Sequence, residues 1–301
     1  MVFQLPEFAE RIQAIGCPEN LPATDRKALD PSDDFESVRT PKPGDWLAEH
    51  EEPGQTFEDF ILAPRNIPDQ TRNKVYLQPL GEFPEERSPS LDILKEYAAA
   101  FFMMEVEVLP VLDNELSTFT NRINHFTGTR QIFTADVLTE LKARIPHDGF
   151  CLLAITMNDL YPHPSWNFVF GQASIYDRVG VFSFTRYDPA FYGEKRDQDY
   201  KRSILKRSCK VLAHEIGHML SLAHCIFFQC VMNGSNSLKE GDSRPFFLCP
   251  VCLHKLQSSI GFDYIDRYRR LFHFYQKVGF EEQAHWVAER QRKITGAAVE
   301  E

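Results

Sequence analysis

The stretch HEIGHMLSLAHCIFFQC, residues 214–230, brings together three histidines, one glutamate and two cysteines. His214 and His218 are four positions apart, so on a helix they lie on one face, one turn apart. Two imidazole nitrogens in this arrangement can reach one zinc ion at about 2.0–2.1 Å. Glu215 completes an HExxH motif, in which the glutamate takes the proton from a water molecule that zinc activates. The motif predicts a zinc site for hydrolysis.

A third histidine, His224, follows His214 by ten positions. This is too far along a straight helix to reach the same ion, so we expect the chain to turn back after about Leu220. Three protein ligands would leave a fourth position open for water, which is typical of a catalytic zinc site. The alternative is a surface helix that shows HExxH by chance, and the third histidine at this offset disfavours it.

Four cysteines form two close pairs, with the pattern C-x4-C, an 18-residue gap, and then C-P-V-C. Four thiolates in two pairs are what a closed, structural zinc site requires. The predicted ligands of this second zinc are Cys225, Cys230, Cys249 and Cys252. The alternative is that buried cysteines act as small hydrophobic residues, which is our interpretation of Cys17, Cys151 and Cys209. Because Cys225 follows His224 directly, the structural zinc should also hold the turn that presents His224.

The elements that must position these residues follow from hydrophobic patterns. Apolar or alternating runs predict strands at 74–80, 105–112, 150–157, 167–176 and 179–187. Helical spacing predicts helices at 90–103, 134–145 (capped by Thr134) and 199–222, with further helices after 249. Strands that alternate with helices indicate an α/β fold with a mainly parallel sheet and covering helices.

The first 70 residues differ in composition from the rest of the chain. They carry 15 acidic and 6 basic residues and 9 of the 19 prolines. Proline disfavours helix interiors and central strands. We therefore interpret 1–70 as an irregular acidic arm with short helical turns at GDWLAEH and TFEDFIL, and 71–301 as the main domain. A floppy tail is the alternative, although Trp46, Phe57 and Phe60 suggest that part of the arm packs on the main domain.

Charge and hydropathy limit the expected partners and compartment. The net charge of -10 argues against binding to nucleic acid or to acidic lipid. No apolar run approaches eighteen residues, and the N-terminus lacks the pattern of a secretory signal. We expect a cytosolic monomer that binds neither nucleic acid nor membrane, with the nucleus left open as a second compartment. In a reducing compartment the seven cysteines should not form a disulfide framework, and those that are clustered indicate a metal site.

The motifs HEIGHMLSLAHC, FFQCVMNGS and LCPVCLHKLQ resemble those of the archaemetzincins, a branch of the metzincin zinc metallopeptidases. The resemblance, which is close for vertebrate members, runs from about 74 to 275, and in the arm only DWLAEHEEPGQTFEDF is weakly similar. It implies that Met232 is the Met-turn methionine and that the four cysteines bind the second zinc. It also implies a mixed, mostly parallel sheet whose antiparallel edge strand, within Phe168–Tyr176, lines the substrate site. We expect the active-site helix to be followed, from about residue 225, by a helical C-terminal part that the structural zinc holds together.

Ser221 departs from the family pattern, because metzincins usually carry glycine at this position. Glycine permits a positive φ at the helix end, which a residue with Cβ adopts less readily. Serine there would cost on the order of 1–2 kcal/mol, or the turn would move by one residue.

The sequence thus predicts a zinc-dependent peptidase with two zinc ions, in which Glu215 is the general base. The family implies peptide substrates and, for some members, an aminopeptidase preference. The alternative is a two-zinc binding or regulatory protein that keeps the fold but cleaves little. A zinc module for nucleic acid is disfavoured by the negative net charge, and the basic run at 200–210 is better explained as the solvated face of a helix.

Overall fold

The computed structural model describes residues 3–31, 34–112 and 118–297. Within these residues the chain forms two compact units. The first comprises Met1–Ile67, Ala100–Met103 and Ser221–Glu301, and the second comprises Pro68–Ala99 and Met104–Leu220. The division into an arm of 1–70 and a peptidase domain of 71–301 stays a prediction. The first unit groups the described arm residues up to Ile67 with the C-terminal part of the chain.

The elements are numbered in chain order. The helices are α1 (Phe8–Ile15), α2 (Ala23–Leu29), α3 (Trp46–Glu49), α4 (Phe57–Leu62), α5 (Leu91–Phe102), α6 (Thr134–Arg144), α7 (Tyr200–Met219), α8 (Leu238–Ser243), α9 (Pro250–Ile260), α10 (Tyr264–Lys277) and α11 (Glu281–Thr295). The strands are β1 (Lys74–Leu80), β2 (Glu105–Val108), β3 (Asn121–Ile123), β4 (Arg130–Phe133), β5 (Gly149–Thr156), β6 (Asp159–Tyr161), β7 (Gly171–Ser174) and β8 (Val179–Ser183).

The second unit is built on a five-stranded sheet with the order β2-β1-β5-β8-β7. The first four strands run parallel, and β7 pairs with β8 in the antiparallel direction at one edge. The sheet confirms the predicted α/β fold, which is mostly parallel with an antiparallel edge strand. The edge strand, Gly171–Ser174, lies in the middle of the predicted range and covers four of its nine residues.

The helices α6 and α7 pack against the sheet, and the burial of its central strand β5 reflects this cover. Every residue of β5 is buried, as expected for a parallel strand with both faces covered. Leu152 and Ala154 join a core cluster with Val137 and Leu141 of α6. Because side chains alternate along a strand, Leu153 and Ile155 face the other side. The helix α7 packs against β5, β7 and β8, so the histidine helix lies directly on the sheet.

The first unit contains the described part of the arm, which is packed and not a floppy tail. Phe60 of α4 has no solvent exposure, and the ring of Phe57 stacks on His254 of α9 with centroids 3.5 Å apart. The imidazole of His254 also donates from Nδ1 to the carbonyl oxygen of Ile15, at 2.7 Å. The predicted helical turns in the arm are confirmed as α3 and α4, and the C-terminal helices are confirmed as α9, α10 and α11.

Several local predictions are wrong. Thr134 does not cap α6, because its hydroxyl is buried and donates to the carbonyl oxygen of Tyr161 at 3.3 Å. The predicted strand 105–112 ends at Val108, and the helix predicted to reach residue 222 ends at Met219. The helices α1 and α2, and a small sheet with the order β3-β4-β6, were not predicted. None of the helices in the described ranges has the length and apolar character needed to cross a membrane.

Candidate active site

The first two histidines of the predicted zinc site lie on one face of α7, where His214 is buried and His218 is partly exposed. His214 and His218 project from successive turns, and their Nε2 atoms are 3.0 Å apart. Two nitrogens bound to one tetrahedral zinc at about 2.1 Å would be about 3.4 Å apart, so a small shift would accommodate the ion. Each of the three histidines, His214, His218 and His224, offers one ring nitrogen, and these three atoms lie within 4.8 Å of one another. The structure therefore brings together the three predicted residues as a group that could hold a metal ion.

The chain turns toward His224 immediately after α7. The helix ends at Met219, and Ser221 adopts a φ of 67°, in the left-handed region. The turn therefore lies where the family resemblance places the glycine and has not moved by one residue. Two arm residues bind Ser221: the backbone N–H of Asn66 donates to its hydroxyl oxygen at 2.9 Å, and the Gln55 amide donates to its carbonyl oxygen at 3.2 Å.

The side chain of His224 contacts two residues of the arm. Its Nδ1 atom lies 2.6 Å from Oε1 of Glu52. The indole N–H of Trp46 donates to the same carboxylate oxygen at 2.8 Å, and the indole ring meets the His224 ring edge to face at 4.9 Å. With Nδ1 engaged by a carboxylate, Nε2 is the nitrogen that is left for a metal ion.

Glu215 is almost fully buried on α7, at 5% exposure. Its carboxylate lies against the edge strand β7: a Cβ atom built on Gly171 would be 2.5 Å from Oε1 of Glu215. No side chain can therefore occupy position 171 unless the carboxylate moves. A buried carboxylate next to HExxH histidines, facing an edge strand, is well placed to exchange a proton with a water molecule near a peptide.

The four cysteines of the predicted second site also meet. Their sulfur atoms lie within 4.8 Å of one another, all four are buried, and all four are free thiols. The sulfur atoms of Cys225 and Cys249 are 3.6 Å apart. A tetrahedral zinc with Zn–S bonds of about 2.3 Å separates its sulfur atoms by about 3.8 Å, so the observed spacing fits the ion.

The charges of the thiols also favour a cation at this site. Hydrogen bonds, above all from Cys230, hold the pKa of the Cys225 thiol well below its usual range, whereas burial raises that of Cys249 well above it. The hydrogen bonds from neighbouring thiols thus favour the charged form of the Cys225 sulfur. The backbone N–H of Cys249 points at Cys230 Sγ, at 3.3 Å, which is a suitable donor for a thiolate. A divalent ion would allow all four sulfur atoms to ionise.

The loop between the cysteines is organised by Asn233. Its side-chain oxygen accepts from the N–H of Cys230 at 2.7 Å, and its amide donates to the carbonyl oxygen of Cys225 at 2.7 Å. The neighbouring Met232, which the resemblance identifies as the Met-turn residue, is fully buried, and its carbonyl oxygen accepts from the N–H of Cys225 at 2.9 Å. One asparagine therefore ties two candidate ligands together.

Sequence reasoning missed four residues near the two clusters, namely Glu52, Gln55, Gly171 and Asn233. The contact between Glu52 and His224 spans 172 positions, and no spacing rule singles out one carboxylate among the 15 of the arm. A usable signal existed for two of them, because the only arm stretch that resembles the family contains both Glu52 and Gln55.

The arrangement defines the class of the protein. An HExxH helix packed on a mostly parallel sheet, an antiparallel edge strand beside the glutamate and a third histidine after a left-handed turn are the features of a zinc metallopeptidase.

Comparisons with known proteins identify the family. Residues 109–258 match Peptidase family M54. The chain is 39% identical to Archaemetzincin-2 of Homo sapiens over 302 aligned positions, which cover 91% of this chain and 81% of that protein. It is 32% identical to Archaemetzincin-1 of Homo sapiens, covering 78% of this chain and 52% of that protein. It is also similar to the crystal structure of Archaemetzincin (amzA) from Methanopyrus kandleri, with 28% identity, a TM-score of 0.50, and coverage of 65% of this chain and 99% of that one. The chain belongs to Peptidase family M54, the archaemetzincins.

Proposed function

We propose that this zinc metallopeptidase hydrolyses peptide bonds at the three-histidine group with Glu215 as the general base. His214, His218 and His224 are the proposed ligands of the catalytic zinc, and the four cysteines are the proposed ligands of a second, structural zinc. The observation that carries the proposal is the Glu215 carboxylate, which is buried beside the two helix histidines and lies against Gly171 of the edge strand.

The proposed mechanism assigns a task to each of these residues. When bound, zinc supplies Lewis acidity that lowers the pKa of a water molecule to about 7. Glu215 accepts the proton of the attacking water and returns it to the amine that leaves. The glutamate is not a ligand, so its removal should stop hydrolysis without removing the metal.

The edge strand β7 provides the proposed substrate position. In the sheet it pairs with β8 on one side, and the other side is the sheet edge. Free N–H and C=O groups of an edge strand can bind an extended peptide as an added strand. A peptide bound in this way would run past Gly171, and therefore past the Glu215 carboxylate.

The remaining details of the proposal concern the mode of cleavage and the cellular setting. We propose an aminopeptidase preference, which family membership supports. We also propose a monomer in the cytosol, where the free thiols of the described cysteines would persist in the reducing environment.

The mode of cleavage can be tested with matched peptides. Zinc-loaded protein is incubated with a library of peptides whose N-termini are either free or acetylated, and products are identified by mass spectrometry. An aminopeptidase removes single residues from the free peptides and leaves the acetylated ones intact. Internal cleavage of both sets would contradict the aminopeptidase preference, and no cleavage of either set would favour a two-zinc binding protein.

The role of Glu215 can be tested with Glu215→Gln. The amide has nearly the same shape but cannot take a proton from water, so we expect a loss of at least about 100-fold in kcat. Zinc content and melting temperature should stay at the values of the parent. A variant that remains as active as the parent would contradict the role of Glu215, whereas loss of zinc would show that the glutamate contributes to metal binding.

A further inference from the structure

The contact between Glu52 and His224 joins the acidic arm to a proposed zinc ligand. Glu52 Oε1 lies 2.6 Å from His224 Nδ1, and both side chains are more than four-fifths buried, at 19% and 17% exposure. In a partly desolvated place, such a short hydrogen bond to a carboxylate fixes both the ring orientation and the nitrogen that carries the proton.

The carboxylate is itself held in place. The indole N–H of Trp46 donates to Glu52 Oε1, and the backbone N–H of Trp46 donates to Oε1 of Glu240 at 2.9 Å. The indole ring also covers Gly234 so closely that a Cβ atom there would be 2.4 Å from it. Trp46 is therefore held by Gly234 and by Glu240 of α8, both of which follow Cys230 in the chain, and Glu52 is held by Trp46.

We propose that Glu52 is a positioning residue of the catalytic zinc site. Its carboxylate accepts the Nδ1 proton of His224, which selects the tautomer with an unprotonated Nε2 and aims that nitrogen at the proposed metal position. Histidine ligands of metal sites generally need such a partner on their second nitrogen, and its removal typically lowers metal affinity by about 10- to 100-fold. In this proposal the acidic arm supplies a residue that supports the metal site.

Two other roles for Glu52 can be distinguished from this one. Glu52 is not a member of the three-histidine group in the described part of the chain, and its carboxylate lies on the side of the ring away from Nε2, which argues against its being a ligand. A purely mechanical role, in which Glu52 only fastens the arm, would lower stability but would not change the tautomer of His224 or the affinity for zinc.

The first test measures zinc affinity by competition with a chromophoric chelator, for the full chain carrying Glu52→Gln or Glu52→Ala. We expect the affinity of the histidine site to fall by about 10-fold for Gln, whose amide oxygen still accepts a hydrogen bond, and by up to about 100-fold for Ala. Zinc at the cysteine site should be unchanged. Glu51→Gln is the matched control, because it removes the same charge from the adjacent, exposed residue and should bind zinc like the parent.

The second test reads the tautomer directly, in protein whose histidine site is free of zinc. Nitrogen-15 spectra of the imidazoles at pH 8 should show His224 protonated on Nδ1 in the parent and in Glu51→Gln, with His224→Gln used for assignment. In Glu52→Ala the signal should move toward the Nε2-protonated form. Trp46→Phe should give a smaller shift of the same sign, because it loosens Glu52 without removing it.

This inference rests on the proposed zinc site, and the outcomes separate the two. A parent that binds no zinc at the histidines would overturn the proposed function and this inference together. A parent that binds zinc, with Glu52 variants that match it in affinity and in the His224 tautomer, would overturn this inference alone. A lower melting temperature of the variants with both readouts unchanged would also overturn it, and would leave Glu52 as a fastener of the arm.

Discussion

At the scale of single residues, Ser221 shows how a departure from a family pattern can be tolerated. A left-handed φ in a residue with a Cβ costs on the order of 1–2 kcal/mol, and Ser221 adopts a φ of 67°. The serine hydroxyl offsets part of this cost, because it accepts the backbone N–H of Asn66. A hydrogen bond of this kind contributes about 1 kcal/mol. A glycine would avoid the strain but could not satisfy that donor.

Substitutions at Ser221 should separate the two effects. Ser221→Gly relieves strain, loses the hydrogen bond and gains freedom in the unfolded chain, so we expect its free energy of unfolding to lie within about 1 kcal/mol of the parent. Ser221→Ala keeps the strain and loses the hydrogen bond, so it should be less stable than both by about 1 kcal/mol or more. Urea unfolding of the parent and the two variants measures their order of stability. An alanine variant as stable as the parent would show that the hydroxyl contributes nothing.

The candidate ligands could be predicted because their spacing is local. His214 and His218 are separated by one helical turn, and the cysteine pairs enclose four and two residues. The short segment between the members of each pair keeps them close together in space. The partners that support these ligands come from distant positions. Glu52 and Gln55 reach His224 and Ser221 only after the arm has folded onto the C-terminal part of the chain, which no local pattern encodes.

At the scale of elements, the contact between α7 and β7 depends on a glycine. Gly171 lies opposite the Glu215 carboxylate, and an added methyl group there would be 2.5 Å from Oε1. The helix is packed against the sheet and cannot retreat readily, so the carboxylate itself must move. Position 171 should therefore control the placement of the proposed base without contributing any chemical group.

Gly171→Ala should lower kcat by at least about 10-fold, because a displacement of about 1 Å at a catalytic group costs about that much or more. Zinc content should not change, since neither histidine is displaced by the methyl group. Gly180→Ala on β8 is the matched control: its Cβ would meet the flexible end of Leu153 at 2.9 Å and would crowd the same hairpin without touching Glu215. An equal loss of kcat in both variants would contradict the specific effect at Gly171.

A second element prediction concerns pH. Asp188 is buried before the 3-10 helix Pro189–Tyr192, and it accepts from Ala190 N at 3.0 Å and from two nitrogens of Arg196 at 3.0 and 2.6 Å. The hydrogen bond from Arg196 holds the pKa of Asp188 below its ordinary value of 3.8. A lowered pKa in the folded state gives stability that is present above the unfolded pKa and is lost as pH falls through the folded pKa.

Asp188→Asn should therefore lower the free energy of unfolding by about 1.5–3 kcal/mol at pH 7. The difference in free energy of unfolding between this variant and the parent should become smaller as pH falls below 3.8, because the parent then loses the charge of Asp188 as well. Asp177→Asn is the control, since its ion pair with Lys142 is exposed and should contribute no more than about 1 kcal/mol. Urea unfolding at pH 7, 4 and 3 measures the free energy of unfolding of each variant relative to the parent. A difference for Asp188→Asn that stays constant with pH would contradict the role of its charge.

The strands and helices differ in how well the sequence predicts them. β5 and α7 carry long apolar patterns and were predicted to within a few residues. The strands β3, β4 and β6 have only three or four residues, too few to show a period of two. In the arm, the prolines suggested irregular structure and concealed α1 and α2, where Pro22 occupies the N-cap position of α2, before the helix begins.

At the scale of the whole molecule, the two candidate metal groups have different character. The cysteine group is closed: four buried thiols surround one position, and its loop is tied by Asn233. The histidine group offers three candidate ligands and would leave a position open for water. Since Cys225 directly follows His224, loss of the structural zinc should also disturb the proposed catalytic site, whereas loss of the catalytic zinc should leave the cysteine loop in place.

Stepwise removal of metal should reveal this difference. We expect two zinc ions per chain, measured by elemental analysis, and a mild chelator should remove the ion of the histidine group first. Activity should then be lost. The melting temperature should fall only slightly, because the ion of the histidine group should not be required for the cysteine loop to fold. Removal of the second ion should need stronger chelation and should unfold the protein, because the binding free energy of a structural zinc, about 10–16 kcal/mol in small zinc domains, is part of the folding free energy. A protein that binds a single zinc, or that loses both ions together as it unfolds, would contradict separate roles for the two groups.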